Sequence, residues 1–171
     1  MDEEVERGIV QAIPALRRYA LALTGSWDSA DDLTQDSLER AMRKSHQWRR
    51  HGGIKAWLFR IMYRQFLNRR RLFRPSAVEA EPDELAAAPD LANCQERHMA
   101  CDDVFTALMA LPRRQRAAMY LVSVEGYTYD EAAMLMDVPI GTVRSRLARA
   151  RDAMRAALPE QDRTARLRRV K

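Results

Sequence analysis

A chain of 171 residues holds one medium domain or two small ones, and a hydrophobic content of 47% is enough for packed cores. No apolar run approaches the length of a membrane span and the start, MDEEVERG, is acidic rather than a basic leader, which excludes membrane insertion and predicts a cytoplasmic protein; two cysteines, Cys94 and Cys101, call for no disulfide framework. The net charge of +5 is unevenly spread, with 15 basic and 9 acidic side chains in residues 1–74, 0 and 5 in residues 75–93, and 14 and 10 in residues 94–171, so two basic modules flank an acidic connector and a polyanion is the expected partner.

The first predicted helix runs from Val5 to Thr24, with Ile9, Ile13, Leu16, Ala20 and Leu23 on one stripe and Gly25 as its stop. Pro14 lies inside the stripe and either kinks the helix or marks its true start. A second helix follows from about Ser29, its first turn enriched in Asp28, Asp31 and Asp32 as the helix dipole prefers, and its core face made of Leu33, Leu38, Ala41 and Met42. Asp32, Gln35 and Asp36 fall at i, i+3 and i+4 and so share one polar face, which by default is simply solvated.

Between Ser45 and Gly53 the string SHQWRRHGG breaks periodicity and reads as a loop. Trp48 there either packs at the loop base or stacks on an exposed base while Arg49 and Arg50 hold phosphates. The next helix, Ile54 to about Leu72, is expected to bury Ile54, Trp57, Leu58, Ile61, Met62 and Phe66. Its other faces carry Lys55, Arg60, Arg64, Arg69, Arg70 and Arg71 with Tyr63 and Asn68 interleaved, a mixture suited to single-stranded nucleic acid. Arg60, Arg64 and Asn68 share one line at i, i+4 and i+8, next to the basic loop.

Residues 75–93 contain Pro75, Pro82 and Pro89, no basic residue and few large apolar ones, and are predicted to be a flexible acidic linker. The second module, 94–160, opens with a helix that places Val104, Leu108 and Leu111 inside and ends at Pro112. Another helix from Arg113 packs Ala117, Ala118, Leu121 and Val122 before Gly126. Thr128 and Glu131 form a capping box for a short helix from Tyr129 to Met136, and Pro139 starts a second helix that runs from about Ile140 towards Leu158. Val143, Leu147, Ala150, Met154 and Leu158 face a core; Arg144, Arg146, Arg149, Arg151 and Arg155 occupy the other faces. Two short helices around a tight turn, the second densely basic, describe a helix-turn-helix that places its second helix in a major groove. Residues 161–171 are a basic tail. The fold class is all-α: two small helical domains, 1–74 and 94–160, with the helix-turn-helix in the second.

Catalysis finds no support, since no glycine-rich phosphate loop, no nucleophile-histidine set and no acid pair tied to a pocket is present, and no cofactor is expected. Cys94, His98 and Cys101 stand at i, i+4 and i+7 of a helix, but three soft ligands without a fourth make a zinc site or redox switch the minor reading beside ordinary packing.

Three strings carry a family resemblance. Gly141-Thr142-Val143-Arg144-Ser145-Arg146-Leu147 resembles the promoter-reading part of domain four in bacterial sigma factors, with Asp137 at the turn where that family usually has glycine. Asp31-Asp32-Leu33-Thr34-Gln35-Asp36-Ser37 is similar to the sigma segment that docks on the clamp of core RNA polymerase, and Trp57-Leu58-Phe59-Arg60-Ile61 to the domain-two segment that melts the downstream promoter element. The chain thus looks like a compact sigma factor of the extracytoplasmic-function (ECF) type in the sigma-70 family. The resemblance implies that Asp32, Gln35 and Asp36 contact core polymerase, and that Trp48, Arg49, Arg50, Arg60, Arg64 and Asn68 serve the downstream element. It implies that Thr142, Arg144, Ser145, Arg146 and Arg149 serve the upstream one, with Arg146 better suited to phosphate than to bases. Its implied partners are core RNA polymerase, promoter DNA and an anti-sigma factor. A stand-alone helix-turn-helix regulator lacks a visible dimer interface, and a sigma-mimicking adaptor that sequesters an anti-sigma factor would not need the arginines of the second helix.

Overall fold

The computed structural model describes residues 3–48, 53–73 and 102–158, and every regular element among them is helical. The linker 75–93, the tail 161–171, Arg49, Arg50, Cys94, His98 and Cys101 lie outside the described residues. Among the described residues no helix is long and apolar enough to cross a membrane, and no cluster of histidine, cysteine and carboxylate side chains is placed to hold a metal ion.

Helix α1 (Glu3–Thr24) carries Pro14 in its interior without a break. The carbonyl that proline leaves without an amide partner belongs to Val10, a residue 59% exposed, so water satisfies it at little cost. Gly25, at φ 87°, ends the helix in the left-handed region as a C-terminal glycine does. Helix α2 (Trp27–Arg43) is capped by Ser26, whose hydroxyl accepts from the Ser29 amide.

The core face of α2 differs from expectation. Leu33 and Ala41 are buried as predicted and Leu38 is half-buried, but Met42 is 48% exposed, and the stripe is completed by Ala30, Thr34 and Ser37. The two hydroxyls turn back onto their own helix, Thr34 to the Ala30 carbonyl at 2.7 Å and Ser37 to that of Leu33 at 2.6 Å, which lets polar side chains occupy core positions.

A single 3₁₀ turn, Ser45–Gln47, begins the predicted loop. Helix α3 (Ile54–Phe73) packs against both α1 and α2. Its Leu58, Met62 and Phe66 are buried as expected and Ile54, Trp57 and Ile61 half-buried, but Phe59 and Tyr63 are fully buried as well. A helix pressed on one side by α1 and α2 and on another by the second module has less exposed surface than one apolar stripe implies.

In the second module α4 (Asp102–Ala110) ends ahead of Pro112, and α5 (Arg113–Met119) passes into a π-helical turn, Tyr120–Val124, before Gly126 at φ 76°. Helices α6 (Tyr129–Met136) and α7 (Ile140–Ala157) follow, with α4, α5 and α6 all packed on α7. The two modules also touch, α5 against α1 and α6 against α3, and their buried apolar residues form one continuous cluster.

Candidate nucleic-acid interface

The helix-turn-helix is built by local chemistry that its sequence spells out. Thr128 Oγ1 accepts from the Glu131 amide at 3.2 Å while Glu131 accepts from the Thr128 amide at 2.8 Å, closing the capping box at the start of α6. The Thr128 amide foremost, and then the Thr128 hydroxyl, which donates to Glu131 Oε2 at 2.8 Å, hold the Glu131 carboxyl below its ordinary range. At the other end Asp137 takes φ 55° and ψ 47°, the left-handed conformation the turn requires, and its amide bonds back to the Ala133 carbonyl. Pro139 precedes the first turn of α7, accepting from the amides of Thr142 at 2.9 Å and Val143 at 3.4 Å.

Along α7, Val143, Leu147 and Ala150 are buried, while Arg144, Ser145 and Arg149 are exposed and Thr142 is half-buried. Thr142, Arg144 and Ser145 lie in the first half of the helix, the part that a helix-turn-helix directs at base edges, and Arg149 follows just past its midpoint. Ser145 donates to the Thr142 carbonyl at 3.0 Å, and Arg151 donates to the Tyr129 hydroxyl at 3.1 Å, tying α7 to α6. Arg146 stands apart. It is 6% exposed, and its charge acts on the buried Tyr19 of α1.

Arg60, Arg64 and Asn68 are exposed and aligned on α3. Arg64 is nonetheless engaged, donating to the Asp137 carboxylate at 3.0 Å and so joining α3 to the turn of the helix-turn-helix. Trp48 is half-buried and packed against the core, with its indole N–H enclosed and lacking a hydrogen-bond partner among the described residues. Of the two readings of Trp48, the packed one describes this arrangement.

On α2, Asp32 and Gln35 are exposed and Asp36 is half-buried. The face is braced by α3, since Arg69 forms an ion pair with the Asp36 carboxylate and bonds the Asp32 carbonyl at 3.3 Å, while Gln65 donates to the Asp36 carbonyl at 3.0 Å. Gln35 in turn donates to Glu39 at 3.3 Å. Reading Arg69 only as part of a basic face missed this brace; its signal was the acidic face one helix earlier.

The seam between the modules escaped sequence reasoning altogether. Arg116 of α5 is fully buried, with Nε donating to the Ala22 carbonyl near the end of α1 and Nη1 to the Met109 carbonyl near the end of α4, so one cation serves two helix C-termini. Burial first, and then Arg113, pull its guanidinium down to about 10. A Cβ on Gly25 would stand at ordinary contact distance, 3.5 Å, from Arg116 Nη2, so it is the positive φ of 87° that calls for glycine beside this side chain. Glu125 forms an ion pair with Lys55 of α3 and accepts from Tyr120 at 2.8 Å, and Tyr120 also reaches the Ala15 carbonyl at 3.3 Å. Rings complete the contact: Tyr19 lies 5.5 Å from Tyr120 and 4.9 Å from Phe59, and Phe59 lies 6.0 Å from Tyr127. Burial above all, then Tyr63 and Tyr120, raises the Tyr19 phenol well above its ordinary range, with Arg146 opposing. Burial and the bond to Glu125 likewise raise Tyr120.

Comparison with known proteins divides the chain where its charge does. The family model of the Sigma2 domain of PhyR matches residues 9–63, and that of Sigma-70 region 4 matches residues 101–154. Over 160 residues the chain is 33% identical to the ECF RNA polymerase sigma factor EcfG of Rhodopseudomonas palustris, covering 92% of this chain and 87% of that protein. Among solved structures, the sigma factor RpoE in complex with the anti-sigma factor NepR from Bartonella quintana is similar at a TM-score of 0.70 and 28% identity, covering 91% of this chain and 97% of that one. The anti-anti-sigma factor PhyR of the same organism, complexed with NepR, is similar at a TM-score of 0.57 and 21% identity over 87% of this chain and 48% of its own, a likeness of fold.

Proposed function

Because this chain belongs to the ECF RNA polymerase sigma factors of the sigma-70 family, we propose that it binds core RNA polymerase, directs it to particular promoters and is restrained by an anti-sigma factor. Its work is then in the cytoplasm, and it is a specificity subunit rather than an enzyme. The observation that carries the reading is α7, which buries its apolar stripe and leaves Arg144, Ser145 and Arg149 exposed directly after a left-handed turn.

In this reading the second module, 94–160, reads duplex bases of the upstream element through Arg144, Ser145 and Arg149, with Thr142 beside them. The first module, 1–74, docks on core polymerase through Asp32, Gln35 and Asp36, which Arg69 and Gln65 hold in place from behind. Its Arg60, Arg64 and Asn68, together with Arg49 and Arg50, engage the opened downstream element. Residues 75–93 join the two.

A second reading has one observation in its favour: the first module matches the Sigma2 domain of an anti-anti-sigma protein. A sigma mimic would bind an anti-sigma factor and leave polymerase alone. Transcription with purified core polymerase on a promoter library separates the two. Promoter-specific transcripts are expected; capture of an anti-sigma factor with no such transcripts would establish the mimic instead.

A further inference from the structure

The polar face of α2 is less acidic than its sequence implies once its neighbours are counted. Asp36 forms an ion pair with Arg69 of α3, and Glu39 pairs with Arg43 of its own helix at 3.1 Å. Asp31, beside the face, accepts two bonds of 2.9 Å from Arg17 of α1. Of the two carboxylates assigned to the face itself, Asp32 has no basic partner among the described residues.

The Arg69 contact is more than a surface ion pair. Gln65 and Arg69 stand one turn apart on α3 and donate to the carbonyls of Asp36, at 3.0 Å, and of Asp32, at 3.3 Å, which stand one turn apart on α2. A carbonyl inside a helix already accepts from an amide, and its second lone pair takes these bonds, which fix the two helices in register. The Arg69 side chain is 35% exposed and that of Asp36 48%, so the pair lies at the rim where α3 meets the face. A body that docks there covers the guanidinium together with the carboxylate. Burying a lone carboxylate is costly, and the cost falls when its counter-ion is buried with it in a fixed geometry. Arg69 supplies that counter-ion from within the chain and is in place before docking.

We propose that Asp36 and Arg69 enter the polymerase interface together as a neutral pair, which makes Arg69 a positioning residue of the docking face, and that Asp32 is the anionic anchor met by a basic side chain of core polymerase. This rests on the reading of α2 as the docking face. It also takes Arg69 out of the basic surface that α3 offers to DNA.

The test is binding of core polymerase by the full chain carrying Arg69→Gln, Asp36→Asn or both. Each single variant leaves one unpaired charge to be covered and is expected to weaken binding about tenfold, while the double variant leaves none and is expected within about threefold of the wild type. The sign is diagnostic, because Arg69→Gln makes the face more acidic, and a polymerase cation opposite Asp36 would then hold it more tightly. Salt separates the two carboxylates. The dependence of Kd on salt should become shallower in Asp32→Asn and keep the wild-type slope in the double variant, since a neutral pair brings no net charge to the contact. Both partners are exposed enough that these variants are expected to stay folded, which urea unfolding checks. Should Arg69→Gln fold poorly, Arg69→Glu with Asp36→Arg keeps a neutral pair of reversed polarity and is expected to bind within about threefold of the wild type; a loss beyond about tenfold there overturns the proposal. Unchanged or tighter binding by Arg69→Gln overturns it as well, and weaker promoter binding in that case would return Arg69 to the surface facing DNA. A double variant as weak as the weaker single also overturns it, because a brace that merely holds α2 to α3 gives that result. A wild-type chain that does not bind core polymerase refutes the sigma reading itself, whereas a wild type that binds beside an unrescued double variant refutes the pair alone.

Discussion

Arginines occupy both the exposed face of α7 and the seam between the modules, and the same side chain does opposite work in the two places. Arg144 and Arg149 are exposed, and an exposed guanidinium is a planar fork of donors that a guanine edge or a phosphate can reach. Arg116 is sealed from solvent and spends its donors on the carbonyls at the ends of α1 and α4. What separates a nucleic-acid contact from a structural cation is therefore whether the tertiary fold has covered it. Charge alone does not distinguish them.

The strongest way to break this comparison is Arg116→Ala. It removes the cation from two helix C-termini, strips the Ala22 and Met109 carbonyls of their partner and opens a void beside Gly25. Urea unfolding should show a loss of about 3 kcal/mol. A variant as stable as the parent would show that the buried guanidinium holds nothing together.

Arg149→Ala tests the other side. It should leave the urea midpoint within about 0.5 kcal/mol of the parent, as surface substitutions do. It should also cost about 2 kcal/mol of discrimination at one position of the upstream element, read by competition among promoter variants. Arg151→Ala should weaken all promoters alike, since Arg151 leans on Tyr129 at the rim of the motif. Uniform weakening by both variants would remove the distinction between base and phosphate contacts.

The seam has a pH signature that the exposed face lacks. Tyr19 and Tyr120 stay protonated in the folded chain well above the 10.0 at which a free tyrosine ionises, so the unfolded chain binds fewer protons and stability falls as pH rises past 10. Arg116, pulled down from 12.5 to about 10, has the opposite sign, because above pH 10 the folded chain is the one that binds fewer protons. Three phenols, with Tyr127 raised by burial as well, stand against one guanidinium, so a net loss of stability is expected between pH 10 and pH 11. Denaturant midpoints across that range measure it, and a flat profile would show that the phenols are solvated.

How much of this was legible in the sequence depends on how far apart the cooperating residues are. The capping box of Thr128 and Glu131, the left-handed turn at Asp137 and the stripe of Val143, Leu147 and Ala150 are local, and each stands as read. Met42, Phe59, Tyr63, Arg116 and Arg146 were not legible. The periodicity of one helix says which side is apolar, but it carries no information about a second module arriving on another side. Phe59 is covered because Tyr127, 68 positions later in the chain, packs on it. The resemblance implied Arg146 among the upstream contacts, as a phosphate rather than a base contact, and in this arrangement its side chain is enclosed near Tyr19.

The finest test sits where the two regions meet, at Asp137. Glycine, which the resemblance leads one to expect there, would hold φ 55° without the Cβ penalty, whereas aspartate accepts that strain and gains an ion pair with Arg64. Both partners are more than half exposed, so the pair is worth well under 1 kcal/mol, about what relief of the backbone strain returns. Asp137→Gly should therefore leave overall stability within about 0.5 kcal/mol while loosening the contact between the modules, because the gain lies inside the turn and the loss lies across the seam. Scattering and denaturant unfolding measured on the same variant separate the two. A changed unfolding midpoint with an unchanged radius of gyration would mean that Asp137 serves the turn alone, and that its contact with Arg64 is incidental to how the modules meet.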